Sequence, residues 1–381
     1  MSTALRILYA WDRLLPTTAT DAEQATSTMA ALARRGHRVT VLLPRAVTRP
    51  GIDAEELKAH YAVQGSLAVL HVRVPFVSAL LVRKLWFAAH ALLADALPAH
   101  DVVYTRNSAT FLALIAHGHR VVYDTHRAWP DHVPPMAPLF KWAMTRENFV
   151  GAVFHSDYAR ESYERLGVDP ARLATMRNGF DPARFQSART PEEARRELGL
   201  PLDRKLVVYT GHISAMKGLG SVLDLAQRCP DALFLLVGSE EDGGVERAAR
   251  KHPNVEVLPW QHYERAAMYM VSADVLLLPP SSVGLKVAGH TVLPMKLYAY
   301  LAAGRTVFAP ATPDVQELLR DGENAVLVSP GDLEAAGARL AELLRDDATR
   351  ERLAGAARET GKELTWDARA AKLEDFIRRR L

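Results

Sequence analysis

Residues that could bind an anion cluster in the stretch Val207–Gly218, which reads VVYTGHISAMKG. An apolar run ends at Thr210, a glycine turn follows, and a helix is predicted directly after the stretch. His212 and Lys217 place two potential cations beside the turn, and Gly211 permits close approach of a backbone or ligand. The pattern predicts a phosphate-type site, although a lysine after a strand, taken alone, is more often a surface residue.

A second candidate anion site lies in Leu293–Gly304, which reads LPMKLYAYLAAG. A helix is predicted to begin at about Met295, so its first backbone amides and its dipole would favour a phosphate. Packing of this helix beneath a loop, without a ligand, explains the same pattern equally well. The sequence alone leaves both interpretations open.

The elements that must position these residues are short apolar runs alternating with helical stretches, which predict parallel, doubly wound sheets. The first half contains the runs Leu5–Ala10, Val39–Pro44, Ser66–Val74, Val102–Thr105, Arg120–Asp124 and Gly151–His155, with helices at Asp21–Arg35 and Ala79–Leu97. The second half contains Lys205–Thr210, Ala232–Val237, Val255–Leu258, Val275–Leu278, Thr306–Ala309 and Ala325–Val328, with helices that include Met295–Ala303 and Pro313–Leu319.

Two α/β domains are therefore expected, with the carboxyl ends of their strands facing one cleft. We assign residues 1–184 to an N-terminal Rossmann-like domain and 185–366 to a C-terminal one. The segment Asp181–Leu200, which contains two prolines and Gly199, is the expected junction. The terminal helix 367–381 is expected to pack back on the first domain.

Composition is that of a soluble globular protein, with 49% hydrophobic and 24% charged residues. A single cysteine, Cys229, excludes an intrachain disulfide and is expected to be buried. We see no secretory signal and no run of about 20 apolar residues, so a cytoplasmic or peripheral protein is expected. Residues 1–184 hold 21 Lys/Arg against 16 Asp/Glu, whereas the remainder holds 26 against 28. The basic first half suits an anionic acceptor or membrane surface, or is simply a solvated basic face.

The order of three motifs resembles glycosyltransferase family four, whose members are retaining enzymes of the GT-B fold. The motifs read YTGHxxxxKG, ADVLLLPP and LPMKLYxYLAAG, and further matches are RNGFD at 177–181, DGEN at 321–324 and TWD at 365–367. The resemblance spans nearly the whole chain and is strongest across 204–331. Each motif is weak alone, but their order and spacing are specific.

The resemblance implies a role for each matching position. Lys217 and His212, the latter where many members have arginine, would bind the phosphates of a nucleotide-sugar donor, and Gly211 would let the diphosphate approach. The backbone of Pro294, Met295, Lys296 and Leu297 would cradle the same group. In the N-terminal domain, His126 would contact the transferred hexose, with Arg106 and Asn107 on the same rim.

Two departures from the family pattern stand out. Ala299 occupies the position of the second glutamate of an E-x7-E pair, which grips the donor ribose in the family, and Thr291 occupies the first. Weakened donor binding or an unusual donor pose is expected. The first strand–helix loop lacks the usual glycine pair, and the hydroxyls of Thr17 and Thr18 are candidates for the acceptor or donor. Asp21 is predicted to be a helix N-cap.

The sequence thus predicts a hexosyltransferase that uses a nucleotide-diphosphate sugar, without a metal or cofactor, in cell-surface polysaccharide or glycolipid synthesis. The alternatives are an inverting transferase, a sugar epimerase or a non-catalytic nucleotide-sugar-binding protein. Two basic-aromatic segments, Ala79–Phe87 and Met136–Trp142, are candidates for contact with the cytoplasmic face of a membrane, or for plain packing on the sheet. A nucleic-acid partner is not expected. The donor base, the hexose, the acceptor and the oligomeric state stay open.

Overall fold

The computed structural model describes residues 3–17, 19–46, 50–74, 80–94, 96–186, 190–281, 283 and 293–381. The chain divides into two compact units, one formed by Met1–Asn178 with Trp366–Leu381 and the other by Gly179–Thr365. The division falls after Asn178 rather than after residue 184. The described part of the expected junction, Asp181–Leu200, therefore belongs to the C-terminal unit.

The N-terminal unit is built on a parallel seven-stranded sheet. In chain order its elements are β1 (Arg6–Ala10), α1 (Thr20–Arg34), β2 (Arg38–Ala46), α2 (Ala54–Tyr61), β3 (Leu67–Val74), α3 (Leu80–Leu92), β4 (Val102–Thr105), α4 (Ser108–Ala116), β5 (Val121–Thr125), α5 (Trp129–His132), α6 (Ala137–Met144), β6 (Phe149–Phe154), α7 (Asp157–Glu164) and β7 (Leu173–Thr175). The strand order is β3-β2-β1-β4-β5-β6-β7. Reversal of the order beside β1 is the doubly wound pattern that brings strand ends together as a site.

The C-terminal unit contains a parallel six-stranded sheet. Its elements are α8 (Pro191–Leu198), β8 (Leu206–Thr210), α9 (Gly220–Arg228), β9 (Leu233–Ser239), α10 (Gly244–Ala249), β10 (Val255–Pro259), α11 (Tyr263–Ser272), β11 (Val275–Leu277), α12 (Met295–Ala303), β12 (Thr306–Pro310), β13 (Val326–Val328), α13 (Leu333–Arg345) and α14 (Asp347–Gly361). The order is β10-β9-β8-β11-β12-β13, again reversing beside the first strand of the unit. A hydrophobic cluster covers each face of this sheet, as expected when parallel strands are buried on both sides.

The last helix, α15 (Trp366–Arg378), returns to the N-terminal unit and packs against α1. Its buried residues include Ala370, Leu373 and Ile377. Phe376 lies against β6, where a Cβ on Gly151 would come within 2.5 Å of the phenyl ring. The terminal helix therefore completes the N-terminal unit across a long gap in sequence.

Some predicted elements differ from the structure. The helix predicted at Pro313–Leu319 is one 3-10 turn, Val315–Glu317, because buried Val315 and Leu319 anchor a short connection between two strands. The helix predicted at Ala79–Leu97 is shorter, and a separate 3-10 turn follows at Leu97–Ala99, where a proline occupies the first turn. The sequence reasoning also missed β7, which is only three residues long.

Candidate functional site

The glycine turn after β8 forms the base of the C-terminal site. The amide of Thr210, the last residue of β8, donates to the hydroxyl of Tyr300 on α12 at 2.9 Å. The amide of Gly211 donates to the carbonyl of Val237 on β9 at 2.9 Å. Gly211 has φ +127°, in the region that favours glycine, and its carbonyl would lie 2.5 Å from a Cβ on Gly238. The turn is held rigidly between two strands and one helix.

The side chain of Lys296 reaches this turn from the first helical turn of α12. Its Nζ lies 3.5 Å from the ring centroid of Tyr209 and would be 2.9 Å from a Cβ on Gly211. The Tyr209 hydroxyl donates to the carbonyl of His212 at 3.1 Å, which fixes the ring beneath the ammonium. Burial, and then the positive charge of Lys217, lower the pKa of Lys296 well below its usual value. Sequence reasoning considered only the backbone of Lys296, so this side-chain position is new.

Lys217 and His212 are both exposed beside the turn. Lys217 ends the 3-10 turn Ala215–Lys217, and α9 begins at Gly220. Lys217 is close enough to Lys296 for its charge to act on the second ammonium. Within the described residues, neither Lys217 nor Lys296 forms an ion pair with a carboxylate. Two lysines and a glycine turn therefore meet at one strand end.

The N-terminus of α12 adds backbone donors to the same unit. Pro294 is the N-cap residue, no side chain caps the helix, and the first turn contains no acidic residue. The amide of Leu297 donates to the carbonyl of Pro294, so the amides of Met295 and Lys296 are the ones without a helical partner by geometry. Such amides, together with the helix dipole, favour an anion.

Ala299 lies in the middle of α12, partly buried against the hydrophobic cluster of that face. Its methyl group has no hydrogen-bonding capacity, so the structure gives this position no polar group for a ligand. Thr291, the other position of the pair, lies outside the described residues, as does Thr18 of the first loop.

Asp124 is the centre of a fully buried polar cluster in the N-terminal unit. His155 donates from Nε2 to Oδ1 at 2.7 Å, Arg369 of α15 donates to Oδ2 at 2.9 Å, and the Tyr104 hydroxyl also donates to Oδ2. Burial alone would raise the pKa of Asp124, but the charges of His155, Arg369 and Arg106 hold it well below its usual value. The sequence could not identify this cluster, because the partners of Asp124 lie far away in sequence.

His126 follows β5 on the rim of this cluster. The guanidinium of Arg106 makes three contacts here. Its Nη2 lies 3.4 Å from Nδ1 of His126, and its Nε lies 3.7 Å from Oδ1 of Asp124. Its Nη1 donates to the carbonyl of Asp21 at 3.1 Å. Burial and the charge of Arg106 lower the pKa of His126 to about 2. His126 is therefore a neutral imidazole, and the structure brings Arg106 and His126 together.

Asn107 does not present its amide oxygen to a ligand. It is the N-cap of α4, only 3% exposed, and its Oδ1 accepts from the amides of Ala109 and Thr110 at 2.8 and 3.1 Å. Asn107 is therefore a helix cap, because an asparagine before a helix satisfies the first free amides, and its position on the rim of a ligand site stays a prediction.

Thr17 lies in the first strand–helix loop and Asp21 in the first turn of α1. The Tyr61 hydroxyl accepts a hydrogen bond from the amide of Thr17 and donates one to its carbonyl. The Thr17 hydroxyl accepts a hydrogen bond from the amide of Ala19. The N-cap of α1 is Ala19. Asp21 instead forms an ion pair with Arg13 at 2.5 Å, so the predicted Asp21 cap is wrong. The arginine eight residues earlier competes successfully for the carboxylate.

Arg369, His155 and Tyr104 are the residues that the sequence reasoning missed. Tyr104 and His155 lie at or just after strand ends, as His126 does, so the position of polar residues after apolar runs was a usable signal. Arg369 carried no such signal, because it contacts Asp124 across 245 positions of sequence.

Each half of the sequence matches a different protein-family profile. Residues 23–184 match the family profile described as Glycosyltransferase Family 4, and residues 191–360 match the one described as Glycosyl transferases group 1. The D-inositol 3-phosphate glycosyltransferase of Xylanimonas cellulosilytica is 29% identical over 198 residues, which are 48% of this chain and 44% of that protein. The chain spans about half the length of the curated relatives it matches.

Solved structures show the same fold over nearly the whole chain. Sucrose-phosphate synthase from Thermosynechococcus elongatus has a TM-score of 0.76 at 17% identity and covers 98% of both chains. Anabaena HepE in complex with UDP and glucose has a TM-score of 0.71 at 15% identity, covering 98% of this chain and 99% of that one. The fold is GT-B, and with one family profile on each half of the sequence, the chain belongs to glycosyltransferase family 4.

Proposed function

We propose that the protein is a glycosyltransferase that takes a hexose from a nucleotide-diphosphate sugar. The observation that carries the proposal is the pair of lysines, Lys217 and Lys296, at the Gly211 turn, neither of them paired with a carboxylate among the described residues. When the bond from the sugar to the phosphate breaks, negative charge accumulates on the departing diphosphate. Cations fixed at that position lower the barrier, because their effect is larger in the transition state than in the ground state.

The transfer proceeds with retention of configuration and without a protein nucleophile. The bond between the anomeric carbon and the phosphate oxygen breaks as the acceptor oxygen bonds to that carbon from the same face. The acceptor proton passes to the departing phosphate oxygen. Neutral His126 donates a hydrogen bond to a hydroxyl of the transferred hexose. Family membership supports this assignment, and the product's anomeric configuration, read by NMR, tests it against inversion.

UDP-hexoses are the first donors to test, since HepE, a protein of the same fold, is known in complex with UDP and glucose. The protein is incubated with UDP-, GDP- and ADP-hexoses, and release of the nucleotide is measured. Lys217→Ala is expected to lower release about 10- to 100-fold, because it removes a charged phosphate ligand. Lys362→Ala, at an exposed lysine of the same unit, is the matched control. Nucleotide release by the wild type at the no-enzyme rate, with every donor, contradicts the proposal.

A non-catalytic nucleotide-sugar-binding protein is the second candidate, and Ala299 favours it, because this position lacks the glutamate of the family pattern. The two candidates predict different results with the same donors. Binding in a thermal-shift assay without hydrolysis or transfer supports the binding protein. Transfer or hydrolysis above background supports the enzyme.

We also propose a lipid-linked acceptor, reached from the cytoplasmic face of a membrane. Helices α3 and α6 both contact α4 and carry large exposed apolar side chains: Leu81 (67% exposed), Leu85 (54%), Trp86 (42%), Leu139 (50%) and Trp142 (37%). Exposed Lys141 lies beside Trp142, and the Arg146 guanidinium stacks on the Trp142 ring at 4.9 Å. Apolar and basic groups on neighbouring helices suit an anionic lipid surface.

A vesicle flotation assay tests this surface. Vesicles of phosphatidylcholine with phosphatidylserine are expected to carry the protein at low salt, and salt is expected to release part of it. Leu85→Glu with Trp142→Glu should abolish flotation, whereas Leu202→Glu, at an exposed leucine of the other unit, should not. Absence of flotation at low salt removes the membrane proposal. No helix among the described residues is both long enough and apolar enough to cross a bilayer.

A further inference from the structure

The Lys296 ammonium lies at the glycine turn without an acidic partner. Its Nζ lies 3.5 Å from the Tyr209 ring centroid, and Lys296 forms no ion pair or hydrogen bond through its side chain in the described part of the chain. Its charged neighbour is another cation, Lys217. Buried or partly buried ammonium groups are normally paired, because removal from water is costly. This ammonium is therefore arranged for an anion that the described part of the chain does not supply.

Hydrogen bonds fix the two aromatic rings and the glycine turn that surround the Lys296 side chain. The Tyr209 ring beneath it is fixed by its hydroxyl, which donates to the His212 carbonyl. Tyr300, one turn further along α12, accepts from the Thr210 amide and donates to the Leu277 carbonyl at 3.4 Å. Because residue 211 is a glycine, it has no Cβ, and a Cβ at this position would lie only 2.9 Å from Nζ of Lys296. The arrangement keeps the ammonium directly against the backbone of the turn.

We propose that the Lys296 side chain is a second phosphate ligand, held on the Tyr209 ring in the free protein, which engages the donor diphosphate as a cation together with Lys217. The proposal rests on the proposed function, since the diphosphate is that of the nucleotide-sugar. It adds a side-chain ligand from α12 to the backbone amides of the same helix.

Proton uptake follows from this position. Burial and Lys217 lower the pKa of Lys296 in the free protein, and a bound diphosphate raises it again. At a pH between these two values the free amine is neutral and the bound one charged, so binding takes up a proton and weakens as pH rises. The titratable groups that face Nζ from the described elements are Tyr209 on β8, whose pKa burial raises, and Lys217. Burial likewise raises the pKa of Tyr300 to about 12, so neither phenol titrates in this range.

Calorimetric titration with UDP, GDP and ADP tests the proposal, with the tightest binder used throughout. At about pH 8 the terminal phosphate is fully ionised, since its second pKa is about 6. Titrations in Tris and in HEPES, which differ in ionisation enthalpy, reveal proton uptake directly. The wild type is expected to take up a fraction of a proton. Lys296→Met is expected to bind about 10- to 100-fold more weakly without uptake, and Lys296→Arg, always charged, to bind without uptake.

Further variants separate binding from folding. Lys217→Met should bind more weakly but retain some proton uptake, and Lys362→Met should match the wild type. Without nucleotide, Lys296→Met should unfold at the wild-type temperature or above it, because it removes an unpaired, largely buried amine. A lower unfolding temperature, with nucleotide affinity within twofold of the wild type, assigns Lys296 a structural role and overturns the proposal. If no nucleotide binds the wild type, the proposed function itself fails.

Discussion

Arg106 determines which nitrogen of His126 carries the proton. Its guanidinium is donor-only and permanently charged, and it lies 3.4 Å from Nδ1. Nδ1 must therefore accept, and the proton resides on Nε2, which can donate to a sugar hydroxyl. Because burial and Arg106 lower the pKa of His126 to about 2, the ring stays neutral at any physiological pH.

Nitrogen NMR of the His126 ring checks this tautomer. The Nε2–H form is expected, unchanged between about pH 5 and pH 9. Arg106→Met should raise the pKa of His126, since it removes a nearby positive charge, and should allow both tautomers. Arg127→Met is the control, because it removes another charge that lowers the pKa of His126 but leaves the contact of Arg106 with Nδ1, and it should leave the tautomer unchanged. A wild-type ring that titrates near its ordinary pKa of about 6.5 would contradict the assignment.

A substitution at Ala299 tests whether this position binds the donor ribose. A glutamate there can accept hydrogen bonds from the donor ribose, so Ala299→Glu is expected to tighten donor binding several-fold. That is less than the full contribution of about 1.5–3 kcal/mol of a charged hydrogen bond, which corresponds to about 10- to 150-fold. Ala299→Gln is the control of similar size and should have a smaller effect. Both affinities are measured by calorimetry with the same nucleotide. If Ala299→Glu binds as the wild type does, position 299 is not the ribose-binding position.

At the scale of elements, apolar patterning predicted the strands closely because parallel strands are buried on both faces. Strand Val102–Thr105 and helix Met295–Ala303 have the predicted bounds, and the ends of most other predicted strands shift by one or two residues. The pattern could not identify side-chain partners. Asp21 has the residue type of an N-cap, yet it lies in the first turn of α1 and pairs with Arg13. Only the folded chain brings Arg369 to Asp124, since no local rule relates residues so distant in sequence.

The attachment of α15 depends on the buried pair of Asp124 and Arg369. Arg369→Met leaves Asp124 buried with one cationic partner fewer, so the free energy of unfolding of the N-terminal unit should fall by about 3–5 kcal/mol. Urea denaturation, with hydrogen exchange of α15 peptides, measures the loss. The double variant Arg369→Met with Asp124→Asn should recover part of it, because no uncompensated charge remains.

A matched control lies on the same helix. Asp367 forms an ion pair with Arg34 of α1, but its side chain is 56% exposed. Asp367→Asn should therefore cost less than about 1 kcal/mol. If Arg369→Met costs no more than Asp367→Asn, the buried pair does not hold α15, and packing of Leu373, Phe376 and Ile377 alone does so.

At the scale of the whole molecule, the two units differ in how the chain builds them. The C-terminal unit is one continuous segment, Gly179–Thr365, and both hydrophobic clusters of its sheet lie inside it. The N-terminal unit needs two segments, because α15 supplies the partner of Asp124 and covers α1. The sequence already predicted that the terminal helix packs back on the first domain, but it could not show that Arg369 pairs there with Asp124.

Separated units should therefore behave differently. A fragment of residues 179–365 is expected to unfold cooperatively and to bind the nucleotide through Lys217 and Lys296, since its core and its phosphate ligands are complete. A fragment of residues 1–178 should lack cooperative unfolding, because it exposes the face that α15 covers and leaves Asp124 without Arg369. Joining residues 366–381 to it through a flexible glycine-serine linker should restore cooperativity, and the same fusion with Arg369→Met should restore less. Circular dichroism melting compares all four fragments. Cooperative unfolding of 1–178 alone, at the midpoint of the fusion, would show that α15 is an accessory to this unit and that Asp124 is satisfied by His155 and Arg106 without it.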